Sequence, residues 1–66
     1  MKPYLCVKSD FDNEVIDLFL VFKVQGVVFE KWIQGFDDIE WQAALDFAHE
    51  VAHVLNVPFV GDKTDE

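Results

Sequence analysis

The sequence predicts an α+β domain: a three-stranded antiparallel β-meander with one C-terminal α-helix packed on one face, in the order βββα. Three observations carry that expectation. Apolar residues alternate from Glu14 to Val24, a Gln25-Gly26 reversal leads into a second alternating run, and a helix-period stripe extends from Trp41 to Leu55.

The first strand is read from Tyr4 to Val7, a short apolar run after Pro3, closed by the turn-forming cluster Ser9-Asp10-Phe11-Asp12-Asn13. In the second, Ile16, Leu18, Leu20, Phe22 and Val24 form a purely apolar face. Val15, Asp17, Phe19, Val21 and Lys23 form a mixed one, as in a sheet covered on one side and partly open on the other. Gly26 supplies the positive φ that a tight hairpin needs. The third strand spans Val27 to Gln34 and ends at Gly35, and its alternation leaves open whether Phe29, Lys31 and Ile33 or Glu30, Trp32 and Gln34 face inward.

The helix start is marked by Asp37 as a cap, Glu40 three residues later as in a capping box, and Phe36 with Trp41 as a hydrophobic staple, which predicts a helix beginning near Asp38. At 100° per residue, Trp41, Ala44, Leu45, Ala48, Val51, Ala52 and Leu55 share one stripe toward the sheet. Asn56 in the left-handed conformation, Val57 folding back and Pro58 end the helix. The domain is therefore expected over residues 1–60, with 61–66 a polar, fraying tail.

Composition narrows the function. The chain has 66 residues, 52% hydrophobic and 15% aromatic, far too apolar for a disordered tail despite a net charge of −8. Thirteen acids oppose five lysines and no arginine, which argues against direct nucleic-acid binding and for a basic partner. Cys6 is the only cysteine and reads as a packing residue, since it has no disulfide mate and no neighbour that would activate it. No signal-peptide pattern and no run near twenty apolar residues is present, so a cytoplasmic location and no membrane span are expected.

One catalytic pattern stands out. His49-Glu50-Val51-Ala52-His53 fits H-E-x-x-H on a helix and resembles the zinc-binding helix of zincin metallopeptidases. The resemblance would make His49 and His53 the metal ligands and Glu50 the general base. Against it, the only downstream acids for a third ligand are Asp62, Asp65 and Glu66. Both histidines fall in the polar arc with Gln42 and Asp46, where they read as exposed residues near a helix C-terminus. The expectation is a non-enzyme without cofactor.

The acids form the main candidate site. Asp10, Asp12 and Glu14 lie on the first loop or its margin, and Asp37, Asp38 and Glu40 lie at the helix start. The meander places both segments at one pole, while Asp46 and Glu50 continue along the helix at i,i+4 spacing. Capping and solubility account for part of this charge. The functional reading is that the carboxylates imitate duplex phosphates in a Lys/Arg groove built for nucleic acid. Phe11, between two aspartates, either anchors beside that patch or tucks back onto the helix.

In size, charge and architecture the chain looks like the small acidic proteins with which phages oppose bacterial defence, including anti-CRISPR proteins that mimic DNA. That resemblance implies an inhibitor of a basic nucleic-acid-binding protein such as a CRISPR effector subunit. A further reading is a homodimeric module joined through the open sheet face, where Phe19 and Val21 lie away from the helix, joined by Trp32 if its set of third-strand residues is the outer one.

Overall fold

A computed structural model describes residues 2–63. Three strands run as expected in an antiparallel meander: β1 (Tyr4–Asp10), β2 (Val15–Val24) and β3 (Val27–Asp37), followed by the helix α1 (Trp41–Leu55). A fourth strand, β4 (Phe59–Asp62), completes one sheet in the order β3-β2-β1-β4. The α+β class holds, and the sheet is one strand wider than the sequence reading.

The alternation of β2 translates directly into two faces. Directly opposed residues share a face, so Leu5 with Leu20 and Val7 with Leu18 lie toward the helix, whereas Cys6 with Phe19 and Tyr4 with Val21 lie away from it. Leu5, Val7, Ile16 and Leu18 are fully buried beneath Ala44, Ala48 and Ala52. Each such aliphatic side chain contributes about 1.5–3 kcal/mol by leaving water. Alanine at every fourth helix position lets α1 lie close to the sheet. Leu45, Phe47 and Val51 are half-buried beside this row, and Phe36 meets Phe47 edge-on at 5.7 Å between ring centroids. Trp41 and Leu55, expected in the stripe, sit at its margins and are more than a third exposed, because the alanine row bears the close contact.

β1 runs past the expected end at Val7 to Asp10, because Lys8, Ser9 and Asp10 pair with Asp17, Ile16 and Val15, which takes Ser9 and Asp10 out of the expected turn. Three later boundaries also differ from the sequence reading. The third strand does not stop at Gly35. A register shift sets Leu18 opposite Gln34 but Phe19 opposite Trp32, leaving Ile33 as the extra residue of a bulge, and pairing continues to Asp37. The bulge answers the question of faces. Trp32 points away from the helix with Phe19, whereas Ile33 and Phe36 pack against the core.

Because β3 claims Asp37, the helix begins at Trp41 rather than near Asp38, and Glu40, not Asp37, occupies the N-cap position without a side-chain cap. Half of the expected capping box survives as a turn: Asp37 N–H donates to Glu40 Oε1 at 3.2 Å, and Glu40 N–H donates to the Asp37 carbonyl at 2.9 Å.

The third correction concerns the tail. Gly61 and Asp62 belong to β4, which lies parallel to β1 and pairs Leu5 with Phe59 and Val7 with Asp62 across an irregular register. Leu5 N–H donates to the Pro58 carbonyl and Lys63 N–H to the Val7 carbonyl, both at 2.9 Å. Gly61 accommodates the irregularity with φ +88°. The rest of the expected tail, residues 64–66, lies outside the described residues.

The helix C-terminus is as read. Asn56 is left-handed at φ +55°, Asn56 N–H donates to the His53 carbonyl at 3.3 Å and Val57 N–H to the Ala52 carbonyl at 3.0 Å, a Schellman closure. The Gln25-Gly26 turn has φ +52° and +82°, the positive pair of a type I′ hairpin, whose twist matches that of the flanking strands. Among the described residues, no helix is long and apolar enough to cross a membrane.

Candidate functional site: an acidic pole

The topology sets the β1–β2 loop and the β3–α1 junction at one end of the sheet. Asp10 pairs with Val15 and Val15 with Asp37, so the two aspartates flank one β2 residue about 10 Å apart at ordinary strand spacing. One backbone bond closes the seam: Asp38 N–H donates to the Glu14 carbonyl at 3.0 Å. Six of the predicted residues, Asp10, Asp12, Glu14, Asp37, Asp38 and Glu40, are thereby gathered at one pole.

Local chemistry shapes the first loop. Asp10 Oδ1 accepts from the backbone N–H of Asp12 at 3.2 Å and of Asn13 at 3.3 Å, while Asp10 Oδ2 accepts from Asn13 Nδ2 at 2.7 Å. This is an Asx turn, in which a carboxylate replaces the missing strand partner. The Asn13 side-chain bond, joined by the Asn13 and Asp12 backbone donors, holds the Asp10 carboxyl below its ordinary value of 3.8. Glu14 then leaves the loop at φ +56° to enter β2. Asp10 is therefore an organiser of the loop, and Asp12 and Glu14 are the carboxylates it presents, both exposed.

Neither loop contains a lysine. Among the described residues, none of the six carboxylates is ion-paired with a lysine. The nearest cation in sequence, Lys8, instead bridges to Glu30, with Nζ 3.0 Å from Oε1 and 2.9 Å from Oε2. That hydrogen bond raises the Lys8 ammonium above its ordinary 10.5. Two carboxylates 10 Å apart in water repel by only about 0.4 kcal/mol, so the fold tolerates the cluster.

Phe11 does not tuck onto the helix: it is 79% exposed. Ile39, between Asp38 and Glu40, is 89% exposed at the same pole. The sequence reading missed Ile39 because the segment was assigned to the first helical turn. Its position beside three carboxylates in a non-apolar run was the available signal. Asp46 and Glu50 lie lower on α1. Asp46 accepts from Gln42 Nε2 at 2.9 Å, and Glu50 borders an apolar hollow of about 370 Å³ with Ile33, Phe47, Val51, Val54 and Leu55.

The two histidines of the His-Glu-x-x-His segment are both exposed, and the His49 ring meets Phe59 edge-on at 5.1 Å. Among the described residues, no group of three or more His, Cys, Asp or Glu side chains is placed to hold a metal ion. Of the acids considered as a third ligand, Asp65 and Glu66 lie outside the described residues. Cys6, the single cysteine of the sequence, is buried.

The far sheet face, left open in the sequence reading, carries polar bridges. Lys8 Nζ lies 5.5 Å from the centre of the Phe19 ring on its way to Glu30, and Trp32 Nε1–H donates to Asp17 Oδ1 at 3.0 Å. Gly35 makes the second bridge feasible, since a Cβ there would lie 3.3 Å from Asp17 Oδ1 and 3.4 Å from Trp32 Cζ2. Beneath these groups Val21 and Cys6 are buried, and Tyr4, Lys8, Glu30 and Lys63 rim a hollow of about 200 Å³.

Comparison with known proteins gave no match to a family model, to a curated protein or to a solved structure.

Proposed function

We propose that this protein acts by binding rather than catalysis, and that its acidic pole occupies a basic, nucleic-acid-recognising surface on another protein in place of nucleic acid. The observation that carries this reading is the Asp38–Glu14 seam, which turns two acidic loops into one lysine-free patch. Carboxylates held by the fold present their charge without the ordering cost of a disordered acidic tail, and they steer a cationic groove toward the pole.

Phe11 and Ile39 favour a protein partner over a purely solubilising role. Exposed apolar residues set among charges add contact area that a counterion cloud cannot use, and they give the interface its anchors. An inhibitor of a CRISPR effector or a similar defence nuclease is the class that agrees with this size, charge and architecture.

The test is charge removal. Asp12→Asn, Glu14→Gln, Asp37→Asn and Asp38→Asn combined should abolish capture of the partner from a bacterial lysate while leaving the circular dichroism spectrum intact. His49→Ala with His53→Ala should leave capture unchanged. Retention of binding by the neutralised protein would refute the reading.

A further inference from the structure

The two edges of the sheet are unequal. β4, with four residues, forms one; β3, with eleven, forms the other, and no described strand lies along its outer side. A long exposed edge offers a row of unpaired N–H and C=O groups and is normally shortened, covered or charged.

Here the apolar residues gather at one end of the edge. Val27, Val28, Phe29 and Trp32, with Val54 and Leu55 of α1, are between 46% and 75% exposed. Ile33 joins the strand and helix members across the 370 Å³ hollow. This end is the one away from the acidic pole. After α1 the chain reaches Pro58, whose carbonyl accepts from Leu5, and Leu5 is level with Leu20 and Lys31, six residues of β3 from Asp37.

We propose that this edge is the interface of a two-fold homodimer, in which β3 pairs antiparallel with β3 of a second copy over Val27–Ile33 and each copy covers the other's apolar hollow. The proposal is independent of the partner reading above. Three features select a second copy as the occupant.

Area is the first. Val27 and Phe29, with Val54 and Leu55, flank the edge on its helix face, and Val28 and Trp32 flank it on the other, so a second strand added at the edge is lined by apolar side chains on both faces. Together they leave several hundred Å² exposed, comparable with the ~300–600 Å² of the largest patch on a typical monomer, and the strand backbone adds toward the roughly 800 Å² per copy of a stable interface.

Charge is the second. In a chain of net −8, Val27–Ile33 contains one acid and one lysine, Glu30 and Lys31, and is neutral, and the hollow beside it has one charged residue, Glu50, on its border. Glu30 is moreover held by Lys8 at 2.9 Å. Antiparallel pairing centred on Glu30 would set the two Asp37 residues about 48 Å apart at 3.4 Å per residue. At physiological salt the Debye length is about 8 Å, so the poles would not repel.

Symmetry is the third. An antiparallel edge is its own complement, so one strand edge satisfies both copies and the assembly closes at two.

Sedimentation equilibrium from low micromolar to near-millimolar protein tests this. The expected result is twice the chain mass at the upper end, falling to the single-chain mass on dilution, with association undiminished by high salt. Val28→Lys and, separately, Val54→Glu should each raise the dissociation constant at least about tenfold while leaving the circular dichroism spectrum unchanged. Amide exchange in Val27–Ile33 should slow as concentration rises. Single-chain mass throughout, association unaffected by either substitution, growth beyond two copies, or β3 amides that exchange equally fast at all concentrations would each overturn the proposal.

Discussion

The backbone N–H of Asp38 lies 3.0 Å from the carbonyl of Glu14, and through this bond the β1–β2 loop and the β3–α1 junction share one end of the sheet. It is a neutral hydrogen bond, worth about 1 kcal/mol, in a region of like charge. Its function is geometric: it fixes the spacing of carboxylates contributed by residues more than twenty positions apart. The pole is thus a product of topology, since antiparallel strands return the chain to the same end twice.

Asp10 makes the loop sensitive to acid. Its folded value lies below 3.8, so its contribution to stability is fully present above that pH and is lost as pH falls through the depressed value. Carbon-detected NMR titration should place the Asp10 carboxyl below an ordinary aspartate. Asp10→Ala should remove the corresponding part of the acid-side fall in melting temperature.

The alanine row should tolerate no bulk. Ala44 and Ala48 have no exposed surface, so Ala48→Leu must separate α1 from Leu5, Val7, Ile16 and Leu18 or distort its own rotamer. The expected cost is about 1–3 kcal/mol, a large fraction of the stability of so small a domain, read as a lower urea midpoint. An unchanged midpoint would mean that the helix does not rest on this row.

Gly35 and Trp32 act as a pair. Gly35→Ala places a methyl 3.3 Å from Asp17 Oδ1, against ordinary contact at 3.4 Å from Trp32 Cζ2, so the Asp17 carboxylate must give by a few tenths of an ångström and the bond it accepts from the indole weakens. A loss of about 1 kcal/mol is expected in denaturant unfolding. Trp32→Phe, which removes the donor, should make the added cost of Gly35→Ala smaller, a coupling that a double-mutant cycle measures.

These residues also show which features were legible in sequence. The meander was, because alternation along Ile16, Leu18, Leu20, Phe22 and Val24 is a local consequence of the pleat, and so was the Asn56-Val57-Pro58 stop. The bulge at Ile33 was not: both faces of β3 are mixed, and only pairing with Leu18 and Phe19 reveals the shift. The same pairing draws Asp37 into β3 and delays the helix, against local capping signals. β4 depends on the free edge of β1, which no local pattern around Phe59 encodes. The acidic pole was legible because it needs only the strand order. Ile39 was not, because its exposure follows from the delayed helix start.

The salt dependence of partner binding tests the central claim most directly. For the intact protein and its captured partner, the logarithm of the association constant should fall linearly as the logarithm of salt concentration rises, and the slope should shrink when Asp12, Glu14, Asp37 and Asp38 are neutralised. An affinity that does not change with salt, or a slope unaltered by neutralising these four carboxylates, would contradict the account.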